Sequence, residues 1–432
     1  MNQDIFAPGF KAEPYWYEEA PLVVASEPSL PDAVDVAIVG SGYTGLSAAL
    51  TLGRAGRSVL VLDAEDPGAG CSSRNGGMLG EILKVPYDAL IGRYGKSRAI
   101  ALLREGMAAL DYTRYLIESE GIACHFQPVG KFVGAWRPNH YDRLARSLDF
   151  LHREIGYEAE MVPASAQNSE IGSEIYHGGR IEKRQAGLHP ALYHKGLLER
   201  VTQAGVAVAG RTPVLAVTRQ NGGFRVETTR RTLSATDVIV ATNGYTGDAT
   251  PAFRRRLIPV GSYMIATEPL APERMARLIP KRRMIVDTKK MLYYFRPSPD
   301  GTRILFGGRA AVGELDARTA AKKIHRLMTG VYPELGDVPI THAWRGFVAM
   351  TFDQLPHIGR QDGIYFAAGY NGSGVAPSTY FGHKVALKLL GDPEGATAFD
   401  DLPFRGHPLY RRRPWFLPWL ASYYRLKDRY GR

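Results

Sequence analysis

The sequence predicts an α/β protein of two domains, one built on a parallel sheet and a second, α+β domain built on a mainly antiparallel sheet. Three observations predict it. The apolar run at 36–39 meets Gly40, Gly42 and Gly45 and opens into a helical stretch. A second glycine-rich turn, GYNGSG at 369–374, again joins an apolar strand to a helix, more than 300 residues later. Between 257 and 309 the pattern changes to alternating strands, with a hairpin turn across Pro299, Asp300 and Gly301. At 432 residues the chain is too long for one ordinary core.

Taken in order, residues 1–34 hold Tyr15, Trp16 and Tyr17 and then a Pro/Ser-rich stretch, an extended lead-in that packs an aromatic onto the body. In the first strand–turn–helix, Gly40 permits the tight turn, Gly42 lets backbone amides approach a pyrophosphate, and Gly45 lets the helix close on its strand. The strand at 58–62 ends in Asp63, about 20 residues on, where an acid receives hydrogen bonds from an adenosine ribose. Together these make a Rossmann-like βαβ unit, and the acid disfavours a 2′-phosphate. The loop at 67–80 combines five glycines with Ser72, Ser73, Arg74 and Asn75, a composition suited to laying amides and one cation along a flat ligand.

Helices are expected at 97–120 and 138–156 around a strand at 131–135, as parts of the second domain. His189, before Pro190 at a helix start, reads as a capping residue rather than a catalytic one. A buried strand at 237–241 ends at Asn243 and Gly244, the form a parallel sheet takes where it meets a ligand. Tyr294 and Arg296 share a strand that would give an aromatic-walled pocket with one cation. The loop 369–374 and the helix from 375, with Pro377 in its first turn, point a second positive helix end at a negative group. Two anion sites, one toward each end of the chain, fit a ligand longer than NAD.

The net charge of +11 is concentrated in the tail, 405–432, where Arg and Lys interleave with Trp415, Phe416, Trp419, Tyr423 and Tyr424. That mixture suits an anionic membrane surface, or aromatics docking the tail on its own protein. No binding module for nucleic acid accompanies the charge. Cys71 and Cys124 are too few for a disulfide scaffold or metal cage, so free thiols and no metal are expected. With no apolar run of the ~18 to 20 residues that span a bilayer, the expected location is cytoplasmic, with peripheral contact to the inner membrane.

The motifs GSGYTGLSAAL at 40–50, GCSSRNGG at 70–77, RIEKRQAGLHPALY at 180–193, IVATNGYTG at 239–247, WRGFVAMTFDQLPHIGR at 344–360 and GYNGSGV at 369–375 resemble the D-amino-acid oxidase superfamily of FAD enzymes. The resemblance implies a discontinuous FAD-binding domain of the glutathione-reductase type at 35–95, 160–250 and 346–395. A substrate domain would lie at 96–159 and 251–345, with 1–34 an extension and 396–432 a tail. It implies oxidation of a C–N bond to an imine by hydride transfer to the flavin, which leaves the protein mainly to orient the amine.

FAD would be held by Gly40, Gly42, Tyr43, Thr44, Gly45, Asp63, Ser72, Ser73, Arg74, Asn75, Gly76, Gly77, Val214, Asn243, Gly244, Gly369, Tyr370, Asn371, Gly372, Ser373 and Gly374. Tyr294, Arg296, Arg345 and Asn371 make up the expected catalytic set, the two arginines receiving a substrate carboxylate bidentately. The substrate would be an imino acid such as L-pipecolate or proline, or γ-glutamylputrescine. Against the sarcosine-oxidase branch, Gly346 stands where the flavin-linking cysteine falls and Leu305 where the oxygen-activating lysine falls. FAD is therefore expected to be non-covalent, and the electron acceptor is oxygen or a membrane quinone reached through the tail. The competing readings are an NAD-dependent dehydrogenase and a flavin-binding subunit without its own turnover.

Overall fold

The computed structural model describes residues 4–24, 28–81, 83–309, 314–407, 409–410 and 414–430. Strand Ala33–Val39 runs parallel to Val59–Leu62 on one side and to Thr232–Val240 on the other. Ala207–Ala209 extends this sheet past Val59–Leu62, and Ile364–Ala368 joins it parallel to Thr232–Val240. All four residues of Val59–Leu62 are buried, as a parallel strand covered on both faces requires. Helix α1 (Tyr43–Arg54) follows the first strand and helix α2 (Val375–Leu390) follows Ile364–Ala368. The two pack closely: Ser47 Oγ donates to Thr379 O at 2.6 Å, and a Cβ on Gly382 would lie 2.3 Å from Thr44 O. The two ends of the chain are thereby joined in one α/β layer.

Among the described residues the second sheet has nine strands, from Phe6–Lys11 through Ile340–Met350, Ile258–Thr267, Ile304–Gly308, Tyr294–Pro297, Met284–Asp287, Lys131–Gly134 and Gly179–Glu182 to Ala159–Val162. Its pairs are antiparallel except Phe6–Lys11 with Ile340–Met350 and Met284–Asp287 with Lys131–Gly134. Helix Ala317–Val331 covers one face, burying Ile324 and Met328 in the same apolar cluster as Ile265, Phe295 and Phe306. Strands Ala159–Val162 and Gly179–Glu182 belong here, although 160–250 is expected in the FAD-binding domain. A buried cross-strand pair fixes them: Glu182 sits opposite Lys131 and binds its Nζ at 2.8 Å and Arg180 Nη2 at 2.5 Å.

The extension supplies the edge strand Phe6–Lys11 and fully buries Trp16, whose Nε1 donates to Asn75 O at 2.9 Å. The tail ends in helix α3 (Leu417–Tyr430), tied down by Tyr410, whose hydroxyl donates to Leu257 O at 2.9 Å, and by Asp428, which accepts the N–H groups of Lys290 and Met291. Among the described residues no helix is long and apolar enough to cross a membrane.

Candidate active site

One cavity of about 640 Å³ opens between the two sheets. Neither α1, with Gly42 at its N-cap, nor α2, with Gly374, is capped by its own N-cap side chain, so first-turn N–H groups other than Tyr43 N and their partial positive charge remain for a ligand. A Cβ on Gly45 would lie 1.9 Å from Gly40 O, so only glycine lets α1 close on its strand. Gly40 itself has φ +104° with Ala241 O 3.0 Å from where its Cβ would be. Ser41 N and Oγ both donate to Asp63 Oδ2, at 2.7 and 2.6 Å, and Glu65 N to Oδ1 at 3.1 Å, which fixes the carboxylate at the cavity wall.

The loop at 67–80 is held from behind. Asn75 Nδ2 donates to Ser72 O at 2.9 Å while its Oδ1 accepts Gly77 N at 2.8 Å, and Ser73 Oγ donates to Gly68 O at 2.6 Å. Ser72 Oγ accepts Tyr43 N at 3.0 Å, and Arg74 Nε donates to Ala69 O at 2.6 Å. Asn243 Oδ1 accepts Gly369 N at 2.9 Å and so ties the two later loops together.

Of the residues expected to hold the cofactor, Gly40, Gly42, Tyr43, Thr44, Asp63, Ser72, Arg74, Asn75, Gly76, Val214, Asn243, Tyr370, Asn371, Gly372, Ser373 and Gly374 line this cavity. Gly45, Ser73, Gly77, Gly244 and Gly369 do not; they stand behind it, Gly77 against Leu188 O and Gly244 against Phe347 O.

The expected catalytic set divides. Tyr294 lines the cavity, its ring over Gly76 and Gly307 and its hydroxyl 2.8 Å from Ser262 Oγ; burial pushes the phenol up to about 12, so it stays protonated. Asn371 also lines it, but its amide braces the loop, Oδ1 accepting Thr351 N at 2.9 Å and Nδ2 donating to Gly369 O.

Arg296 and Arg345 do not line the cavity, a correction to the reading that they receive a substrate carboxylate. Arg296 shares the face of Tyr294 but lies two residues along, under Gly187. Its guanidinium is taken up by Gly77 O, Leu188 O and Pro297 O at 2.8–3.0 Å and by Gln127 Oε1 at 3.2 Å. Arg345 is held elsewhere: Trp344 reaches Arg74 O and Gly346 lines the cavity, whereas Arg345 Nη1 pairs with Glu314 at 3.0 Å and its guanidinium lies over the Phe347 ring.

Two cations that sequence reasoning missed do line it. Lys84 comes so near the α2 loop that a Cβ on Gly372 would lie 3.1 Å from its Nζ. Burial, with Arg309 and Lys131 beside it, pushes its ammonium down to about 7. Arg309 is also lowered by burial. Neither has an ion pair or hydrogen bond with another described residue. Nothing in GEILKVPYD marks Lys84. Arg309 was readable once the register is known, because Tyr294 pairs with Gly307 and Arg309 follows on that same face.

A family model described as DAO, FAD dependent oxidoreductase, matches residues 35–387. The chain belongs to this family. Its cofactor is FAD, and the site has room for it: two helix N-termini without N-cap side chains, an acid fixed at the wall and a glycine-walled cavity. The NAD-dependent reading falls away. The chain is 33% identical over 375 residues to "Probable oxidoreductase OrdL" of Haemophilus influenzae, covering 85% of each. It is 32% identical over 400 residues to gamma-glutamylputrescine oxidoreductase of Escherichia coli, covering 92% of this chain and 93% of that one. Among solved structures, glycine oxidase from Geobacillus kaustophilus shares the fold with a TM-score of 0.72 at 22% identity, over 88% of this chain and 99% of that one.

Proposed function

We propose that this enzyme oxidises the C–N bond of a carboxylate-bearing amine, an imino acid such as L-pipecolate or proline or a γ-glutamyl amine such as γ-glutamylputrescine. The observation that carries the reading is the pair Lys84 and Arg309, two cations in the cavity wall that form no ion pair with another described residue. A carboxylate between them would satisfy both through charge-assisted hydrogen bonds. The Tyr294 ring and Met264 give the substrate an apolar wall. Bound FAD supplies the acceptor for the electron pair leaving the substrate carbon.

The reading takes FAD as non-covalent and a membrane quinone as the electron acceptor. Gly346 offers no nucleophile, the neighbouring Cys71 thiol is pushed up to about 11 by burial, and Leu305 is buried beside Met264 and Trp344. Acid precipitation should leave the flavin in the supernatant; flavin retained in the pellet would show a covalent link. Reduced enzyme should be reoxidised faster by a short-chain ubiquinone than by oxygen, and the reverse order would remove the quinone. A panel of cyclic imino acids, secondary amines and γ-glutamyl amines, read by anaerobic flavin bleaching, tests the substrate class. Bleaching by carboxylated members supports it, and bleaching only by amines without a carboxylate overturns it.

A further inference from the structure

Helix α3 has two opposed faces. Leu417, Ala421, Tyr424 and Asp428 turn toward the body, with Leu417 and Ala421 buried and the Asp428 carboxylate accepting Lys290 N and Met291 N at 2.8 Å each. The same spacing, offset by two residues, carries Trp419, Tyr423, Leu426 and Tyr430. Two residues turn a helix by about 200°, so this second stripe lies opposite the first. Its four side chains are between 56% and 77% exposed, and exposed Trp415 continues it one turn earlier. Arg425, Lys427 and Arg429 stand exposed on the flanks, and none forms a salt bridge among the described residues.

A continuous aromatic stripe of this kind differs from singly scattered apolar residues and marks a contact surface. Indole and phenol rings with polar edges suit the depth of lipid headgroups, and flanking cations suit lipid phosphates. Charge separates the possible occupants. A second copy docked through this face by a two-fold axis would bring the two sets of cations together, on a chain already at +11.

We propose that α3 is a peripheral anchor that seats the protein on an anionic lipid bilayer, the aromatic stripe in the headgroup layer and the cations on lipid phosphates. On the body side Tyr424 lies within electrostatic reach of Arg309, so the anchored helix backs onto the cavity wall. The proposal extends the quinone reading without depending on it, because its test reads lipid binding alone.

The test is cosedimentation of the FAD-loaded full chain with phosphatidylcholine vesicles containing or lacking phosphatidylglycerol. The anchor binds the anionic vesicles and releases them as salt rises. The solvent-facing double variant Trp419→Ser, Tyr423→Ser should weaken partitioning by at least about tenfold. Arg425→Gln and Arg429→Gln should each cost about fivefold. Flavin content and melting midpoint should not change in any of them. Failure to sediment with anionic vesicles, or undiminished binding by the double variant, overturns the proposal. Self-association in light scattering that Trp419→Ser abolishes, without lipid binding, would assign the face to a second copy instead.

Discussion

An ammonium set in a cavity wall without an anion beside it destabilises the fold, and Lys84 responds by losing its proton more readily, near pH 7 instead of 10.5. The unfavourable contribution is complete below pH 7 and fades as pH rises toward the unfolded value. Lys84→Met should therefore raise the melting midpoint most below pH 7, with the gain shrinking toward pH 10.5; a gain independent of pH would place the ammonium in water. The same ionisation predicts that a competing carboxylate such as acetate binds more weakly as pH climbs past 7, and that Lys84→Met flattens this dependence.

Arg296 and Arg345 differ in what their loss would do. Arg296→Met leaves the buried Leu188 carbonyl without a donor, while Gly77 O keeps Leu188 N, and should cost about 3 kcal/mol in chemical denaturation. Arg345→Ala breaks a half-exposed pair with Glu314 and a contact with the Phe347 ring and should stay within about 1 kcal/mol, with KM unchanged. Their residue types were legible as carboxylate binders. Their directions were not, because strand alternation decides which way a side chain points and only the paired register fixes its phase.

Helices α1 and α2 converge on one cavity because their glycine turns end neighbouring tracts of the same parallel sheet. Gly40, Gly42, Gly45 and Asp63 were readable because each answers a local backbone or hydrogen-bonding demand at a fixed spacing. Gly45→Ala would place its Cβ 1.9 Å from Gly40 O and push α1 off its strand. Its flavin-to-protein absorbance ratio should fall at least about tenfold, and full flavin occupancy would show that the close approach is not needed. Strands Ala159–Val162 and Gly179–Glu182 were not readable as part of the second sheet. Their place depends on Lys131 meeting Glu182, 51 positions further along the chain, a long-range pairing with no local signature. His189 was readable: it caps the helix Pro190–Gln203, its Nδ1 accepting Leu192 N at 3.1 Å.

In the whole molecule, the cavity joins what the sequence separates, since the residues around it come from both sheets and from nearly the full length of the chain. The glycine loops toward both ends made a ligand longer than NAD legible. The substrate end was less legible, because Lys84 and Arg309 converge only after the sheets close on one another. Both sides of the tail's double reading enter the account: Tyr410 and Asp428 dock it on the body, while the stripe from Trp419 to Tyr430 stays in solvent.

The central claim is that this FAD site selects its amine through a carboxylate held by Lys84 and Arg309. Its most direct test is anaerobic flavin bleaching by matched pairs, pipecolate against piperidine and proline against pyrrolidine, in the wild type and in Arg309→Met. The account predicts that an amino acid bleaches the flavin where its carboxyl-free partner does not. It also predicts that Arg309→Met slows bleaching about tenfold to a hundredfold at low substrate while flavin content holds. Equal bleaching by both members of a pair, or an Arg309→Met enzyme as fast as the wild type, would contradict it.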